Sequence, residues 1–232
     1  MRVTAEYRWH MTTTGLAGLG PRRRPSQERS RQRFSQILQA ARAQLVDVGF
    51  ESFTCEQVAA RAGVPIGSLY QFFANKYAIV CELDRLDTEG MQEELAGFAE
   101  RIPHPEWATL LDSFVDHLAV LWRDDPSRRA VWLAMQSTPL TRAIGAEHEG
   151  ALAARVTRLL GPLTPGSQVE AREQIAQVLI HVTYSMLNFS IRDGQSHPDA
   201  VVQLKNMLTA YLVAAEEAAA RHASTRPPEA TT

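Results

Sequence analysis

Residues 54–73 read TCEQVAARAGVPIGSLYQFF, and the punctuation of this stretch decides the fold. Thr54 is a helix-capping residue type, placed just before a short helix with Glu56 and Gln57 in its first turn. Val58, Ala59 and Ala62 give that helix an apolar inner face. Gly63 follows where a tight turn needs a positive φ, and Pro65 stands just before a second short helix over about Ile66–Phe73. Two short helices joined by a glycine turn form the geometry that sets the second helix in the major groove of a duplex.

Helical periodicity continues on both sides. Upstream, Ile37, Leu38, Ala41, Leu45 and Val48 fall on one face of a helix that Gly49 stops. Downstream, Asn75 caps a longer helix that begins at Lys76 and carries Ile79, Val80, Leu83, Leu86, Met91 and Leu95. Beyond Ile102, amphipathic patterns predict a helix through Trp122, a short one over Ser127–Gln136 and one over Leu140–Leu160. Two long helices follow, over Val169–Asp193 and Pro198–Arg221. No strand-like alternation competes, so the expected class is all-α: a three-helix domain with a helix-turn-helix, then a larger helical domain. The expected boundaries are a flexible basic arm over 1–28, a reading domain over 29–76, a sensing and dimerisation domain over 77–223, and a disordered tail over 224–232.

Charge divides along the same line. Residues 1–76 hold 11 Arg/Lys against 5 Asp/Glu, a balance of +6, while residues 77–232 carry −8, together the net charge of −2. A basic first third on an acidic remainder fits a polyanion-binding module on a carrier that avoids polyanions. The run Arg22, Arg23, Arg24 has two readings: an arm that contacts the minor groove or phosphates, and a solvated tail. No apolar run approaches the ~20 residues of a membrane span and the start lacks a signal-peptide core, so the cytoplasm is expected. Cys55 and Cys81, the only cysteines, read as free apolar thiols rather than as a disulfide or metal framework.

The stretch then becomes specific. Thr54, Val58, Ala59, Ala62, Gly63, Val64, Gly67, Ser68, Leu69, Tyr70, Phe73 and Lys76 resemble the DNA-binding signature of the TetR family of bacterial transcriptional regulators. The landmarks Ile37-Leu38, Ala41 and Gly49-Phe50 resemble that family's first helix, and the motif likeness covers about Arg33–Val80. The resemblance implies phosphate contacts from Thr54, from Ser68 (which keeps the hydroxyl of the family's usual Thr), from Tyr70 and from Lys76. Gln71 is the expected base reader, since Gln pairs bidentately with adenine; Ile66 is placed to touch a thymine methyl, and Gly67 to let the backbone approach. Arg31 and Arg33 stand where they can reach the duplex backbone. Phe72 departs from the family's His or Tyr, and a phenyl ring cannot donate to a phosphate, so it is assigned to packing.

For the remainder the resemblance implies dimerisation and ligand sensing. Ile175, Val178, Leu179, Val182, Met186 and Phe189, with Leu204, Leu208, Tyr211 and Leu212, are the expected faces of a four-helix homodimer on a palindromic operator. Trp107, Phe114, His117, Trp122, Trp132, Met135, His181, Tyr184 and Asn188 are the expected lining of a site for a small hydrophobic effector that releases a repressor from DNA. A constitutive DNA-binding regulator with a filled interior is the alternative. An enzyme is disfavoured: no Gly-x-Ser-x-Gly, Walker loop, His-Glu-x-x-His or Cys-x-x-Cys occurs, and no cofactor or metal is expected. The consecutive Glu147-His148-Glu149 would fan apart on a helix.

Overall fold

A computed structural model describes residues 19–101, 107–161, 169–192 and 195–225. Among these the helices are α1 (Glu28–Ser52), α2 (Cys55–Arg61), α3 (Ile66–Phe72), α4 (Lys76–Arg101), α5 (Trp107–Asp124), α6 (Pro126–Gln136), α7 (Pro139–Leu160), α8 (Val169–Phe189) and α9 (Pro198–Thr225). The class is all-α. The one departure among the described residues is a pair of two-residue antiparallel strands, β1 (Ile191–Arg192) and β2 (Gln195–Ser196), with Ile191 opposite Ser196 and Arg192 opposite Gln195. This hairpin ends α8 at Phe189, earlier than the apolar pattern suggests.

The chain divides into two compact units. The first holds residues up to Asp84 together with Ala130–Ile144; the second holds Arg85–Arg129 and residues from Gly145 onward. The sequence pattern instead puts one boundary at residue 76 and assigns the whole remainder to the second domain. The difference lies in Val131, Ala134, Met135 and Ile144, which are buried in the same core as the helix-turn-helix.

That first core is centred on Ile37, Leu45, Phe53, Val58, Leu69, Phe73, Ile79 and Leu83, all fully or almost fully buried. Gly49 breaks α1 at φ 68°, left-handed backbone that glycine adopts without a Cβ penalty. Phe34 stacks on Phe73 at 5.1 Å and meets Phe72 edge-on at 5.4 Å. Arg61 hydrogen-bonds Gln44 and pairs with Asp47, tying α2 to α1.

Residues 19–27, expected from the sequence to belong to a flexible arm, are mostly exposed but tied to the first unit at three points. Leu19 is buried in this core, and Arg22 and Arg24 bond to α3 and α4. Their Pro- and Arg-rich composition carries no periodicity because the contacts are made by single side chains and by backbone.

In the second unit α9 lies against α8 and α5, and α5 against α8. Lys205 of α9 reaches Asp112 and Asp116 of α5 at 2.9 and 2.7 Å. Glu94 of α4 joins His117 of α5 at 2.6 Å and Arg128 of α6 at 3.5 Å. Arg129 donates to Asn188 Oδ1 of α8 at 3.0 Å.

Candidate DNA-reading surface and effector cavity

The expected cap on α2 is a complete capping box. The Gln57 backbone N–H donates to Thr54 Oγ1 at 3.2 Å, and the Thr54 N–H donates to Gln57 Oε1 at 3.2 Å. Two N–H groups that a helix start leaves orphaned are satisfied reciprocally. Gly63 then turns the chain at φ 66°, and the Val64 N–H returns to Ala59 O.

α3 starts after Pro65 and presents two faces. Leu69 and Phe72 are buried, while Ile66, Gly67, Tyr70 and Gln71 are exposed and Ser68 is half-buried. Positions i, i+1, i+4 and i+5 of a helix share one side, so Ile66, Gly67, Tyr70 and Gln71 form one outward stripe. Nothing lies within 4 Å of where a Cβ on Gly67 would sit, so the fold itself does not require glycine there. Phe72 packs, as its chemistry demands.

Three of the expected phosphate donors already have partners. Tyr70 OH donates to Glu56 Oε1 at 3.2 Å, and that bond to Glu56 is the main cause of the raised phenol pKa. Lys76 Nζ donates to the carbonyls of Phe50 at 3.0 Å and Glu51 at 3.5 Å, and sits over the Phe50 ring at 4.4 Å from its centroid. It closes the C-terminal end of α1, with one of its three donors left over. Thr54 Oγ1 is engaged in its cap. Arg31 pairs with Glu28 on the surface at 3.2 Å, and Arg33 is exposed. Nothing in the sequence singles out Glu56; only the proximity of α2's first turn to Tyr70 reveals it.

Both cysteines are buried. Burial pushes the Cys81 thiol up to about 12, with Asp84 adding to the shift, and burial likewise raises Cys55. Neither is a poised thiolate.

The second unit contains a partly open cavity of about 670 Å³, a size usual for small-molecule sites. α4 contributes Met91, Leu95 and Ala99; α5 Leu110, Leu118 and Trp122; α7 Leu152 and Val156; α8 Leu179, Ile180, Tyr184 and Leu187; α9 Leu208 and Leu212. Of the expected lining, Phe114, Trp122 and Tyr184 border this space. The others do not. His117 is held by Glu94 and lies 5.0 Å from the Phe98 ring, His181 is exposed, and Asn188 accepts from Arg129. Met135 is core of the first unit, and half-buried Trp132 belongs to that unit as well. The Trp107 side chain lies outside the described residues. Leu179, Leu208 and Leu212, expected on a dimer face, turn inward to this cavity, and Leu204 is buried with them. The indole N–H of Trp122 has no hydrogen-bond partner within the protein.

Two family profiles match the chain: "Bacterial regulatory proteins, tetR family" over residues 37–83, and "Tetracyclin repressor-like, C-terminal domain" over residues 105–216. The chain belongs to the TetR family of regulators. Solved structures agree on this fold. A TetR-family transcriptional regulator from Streptomyces coelicolor is 23% identical with TM-score 0.61, covering 79% of this chain and 99% of its own. GusR of Salmonella enterica is 22% identical with TM-score 0.63, covering 81% and 98%. FadR of Bacillus subtilis, solved in complex with stearoyl-CoA, is 19% identical with TM-score 0.64, covering 78% and 98%. A comparison with curated protein sequences finds no match. As a TetR-family member, the protein is a transcription regulator that binds DNA through its helix-turn-helix. Among the described residues no helix is long and apolar enough to cross a membrane, and no cluster of His, Cys, Asp and Glu could hold a metal ion.

Proposed function

We propose that this TetR-family protein is a ligand-responsive repressor, released from a palindromic operator by a small hydrophobic effector. The observation that carries the reading is the cavity of about 670 Å³, whose lining is almost wholly aliphatic and aromatic. Filling such a space with an apolar molecule contributes roughly 25 cal/mol per Å² of apolar surface removed from water.

The chain acts in the cytoplasm as a homodimer through α8 and α9. Their outward apolar residues support this: Val178 and Phe189 on α8, and Val202, Met207, Tyr211 and Val213 on α9, are all exposed in the single chain. On the duplex, Gln71 and Ile66 read bases, Gly67 admits the backbone, and Thr54, Ser68, Tyr70, Lys76, Arg31 and Arg33 serve the phosphates. For Tyr70 this requires the phosphate to replace Glu56 as acceptor.

Release follows from differential binding alone: the effector must favour the DNA-incompetent dimer. α4 is the connecting element, since the helix that begins at Lys76 carries Met91, Leu95 and Ala99 of the cavity wall. The stearoyl-CoA held by FadR of Bacillus subtilis, a molecule with a long apolar chain, is in keeping with an apolar effector here. The test is a thermal-shift screen of hydrophobic metabolites and antibiotics, followed by anisotropy of a bound, labelled duplex. Compounds that raise Tm should also release the duplex. A protein that no compound stabilises and whose DNA binding no compound alters is a constitutive regulator.

A further inference from the structure

The first unit carries a feature that lies upstream of the family profile, which begins at residue 37. α3 has only seven residues and ends without a basic residue in its last turn or a glycine cap. The last four carbonyls of any helix lack intrahelical donors. Here the Phe73 N–H takes Leu69 O, and a segment from far earlier in the chain supplies others. The Arg22 backbone N–H donates to Phe72 O at 2.7 Å, and Arg22 Nη1 donates to Tyr70 O at 3.1 Å. One residue thus closes the C-terminal end of the reading helix with backbone and cation together, where the helix dipole favours positive charge.

Two residues on, Arg24 makes a two-pronged pair with Glu82 of α4, both bonds at 3.2 Å. The Glu82 side chain is 1% exposed, while Arg24 is largely open to solvent. A buried carboxylate has a strong requirement for its partners, so this end of the segment is fixed. Leu19, buried in the core, anchors the other end. The segment is therefore tied at one point to α3 and at another to α4, two helices whose Leu69 and Ile79 are buried in the same core.

We infer that residues 19–27 form a strap that sets the tilt of the reading helix, with Arg22 and Arg24 as positioning residues rather than phosphate contacts. The Arg24 guanidinium is neutralised in a bidentate pair with a carboxylate that cannot move to solvent. Arg22 is spent on the carbonyls at the C-terminal end of the reading helix, by its main chain as well as its side chain. A base-reading stripe of Ile66, Gly67, Tyr70 and Gln71 tolerates little change of angle, because misplacement by about an ångström is enough to lose oriented hydrogen bonds.

The test uses the full chain and a duplex enriched from a random-sequence library by the wild-type protein, with a scrambled duplex as the non-specific reference. Three variants are compared: Arg22→Ala, Arg24→Ala and Glu82→Gln, each checked for folding by circular dichroism and thermal melting. Glu82→Gln is decisive because it loosens the strap while releasing the Arg24 charge. If the strap holds the reading helix, all three weaken specific binding by roughly tenfold and leave binding to the scrambled duplex unchanged. The slope of log K against log salt should then equal that of the wild type, since no phosphate contact is lost. Arg24→Lys, which keeps the charge and loses the fork, should be intermediate. Wild-type or tighter binding by Glu82→Gln beside weak binding by Arg24→Ala would overturn the inference and make Arg24 a phosphate contact. A shallower salt slope in Arg22→Ala or Arg24→Ala would overturn it equally, as would specific binding unaffected in all three. If Arg24→Ala does not fold, Arg22→Ala and Glu82→Gln carry the comparison on the same criteria.

Discussion

Replacing Gly67 by alanine separates what the fold needs from what DNA needs. Gly67 stands in the first turn of α3 with helical backbone, not in the positive-φ set, and an added Cβ would meet nothing within 4 Å. Folding therefore gains by the substitution: alanine loses less backbone entropy, and an exposed helical glycine costs about 0.5–1 kcal/mol relative to it. For a unit of this size that gain raises Tm by about 2–8 °C. On DNA the proposed role of Gly67 reverses the sign, because the methyl would occupy the space through which the backbone is proposed to approach the duplex. An intrusion of one methyl group into a close-packed contact costs about 1–3 kcal/mol, so specific affinity falls by roughly 5- to 150-fold. Thermal melting and anisotropy titration on the enriched duplex measure the two quantities in one preparation. Gly67→Ala that melts lower than wild type would refute the account of α3. Gly67→Ala that melts higher and binds equally well would refute the close approach.

Gly63→Ala should behave oppositely, losing about 1 kcal/mol in urea unfolding, because at φ 66° a Cβ is strained even in open space. Gly63→Asn should lose less. Trp122→Phe should lower stability by about 1–2 kcal/mol in thermal melts, since it trades an almost fully buried indole packed on Tyr184 for a smaller ring and enlarges the cavity. Stability should fall as pH rises from the free-thiol value of 9.0 toward about 12, where Cys81 ionises in the folded chain. The sign follows because the unfolded thiol releases its proton first, so high pH favours unfolding; urea titrations at about pH 8 and pH 10.5 check it, and Cys81→Ala should flatten the difference. Tyr70→Phe should keep Tm and weaken DNA binding, whereas Lys76→Ala should lower both, because Lys76 also holds the Phe50 and Glu51 carbonyls.

The reading head is legible in the sequence because its signals are local. A Thr with Gln three residues later, a Gly at a turn and a Pro before a helix each prescribe a dihedral or a cap within four residues of themselves. The structure honours them at Thr54, Gly63 and Asn75, whose Oδ1 accepts the Ala78 N–H at 2.9 Å. The cavity is legible only in outline. Aromatic and methionine side chains at helical spacing say that a face is buried, not against what. Met135 thus lies in the first core, and the wall is built mostly from leucines such as Leu110, Leu118 and Leu187 that no chemistry singles out. Leu204 and Leu208, expected on a dimer face, show the same ambiguity, for a helix apolar on more than one side has two partners to satisfy. The strap is invisible to local patterns because its information is two long-range pairs, Arg22 with α3 and Arg24 with Glu82, separated by 48 and 58 residues.

Selection of random-sequence duplexes by the purified protein tests two-fold DNA reading by α3 most directly. The expected result is enrichment of two inverted half-sites spaced by a whole number of helical turns, about 34–36 Å each, with one base pair per half-site relaxed by Gln71→Ala. Enrichment of sequences without two-fold symmetry, or an unchanged consensus in Gln71→Ala, Ile66→Ala and their double variant, would contradict it.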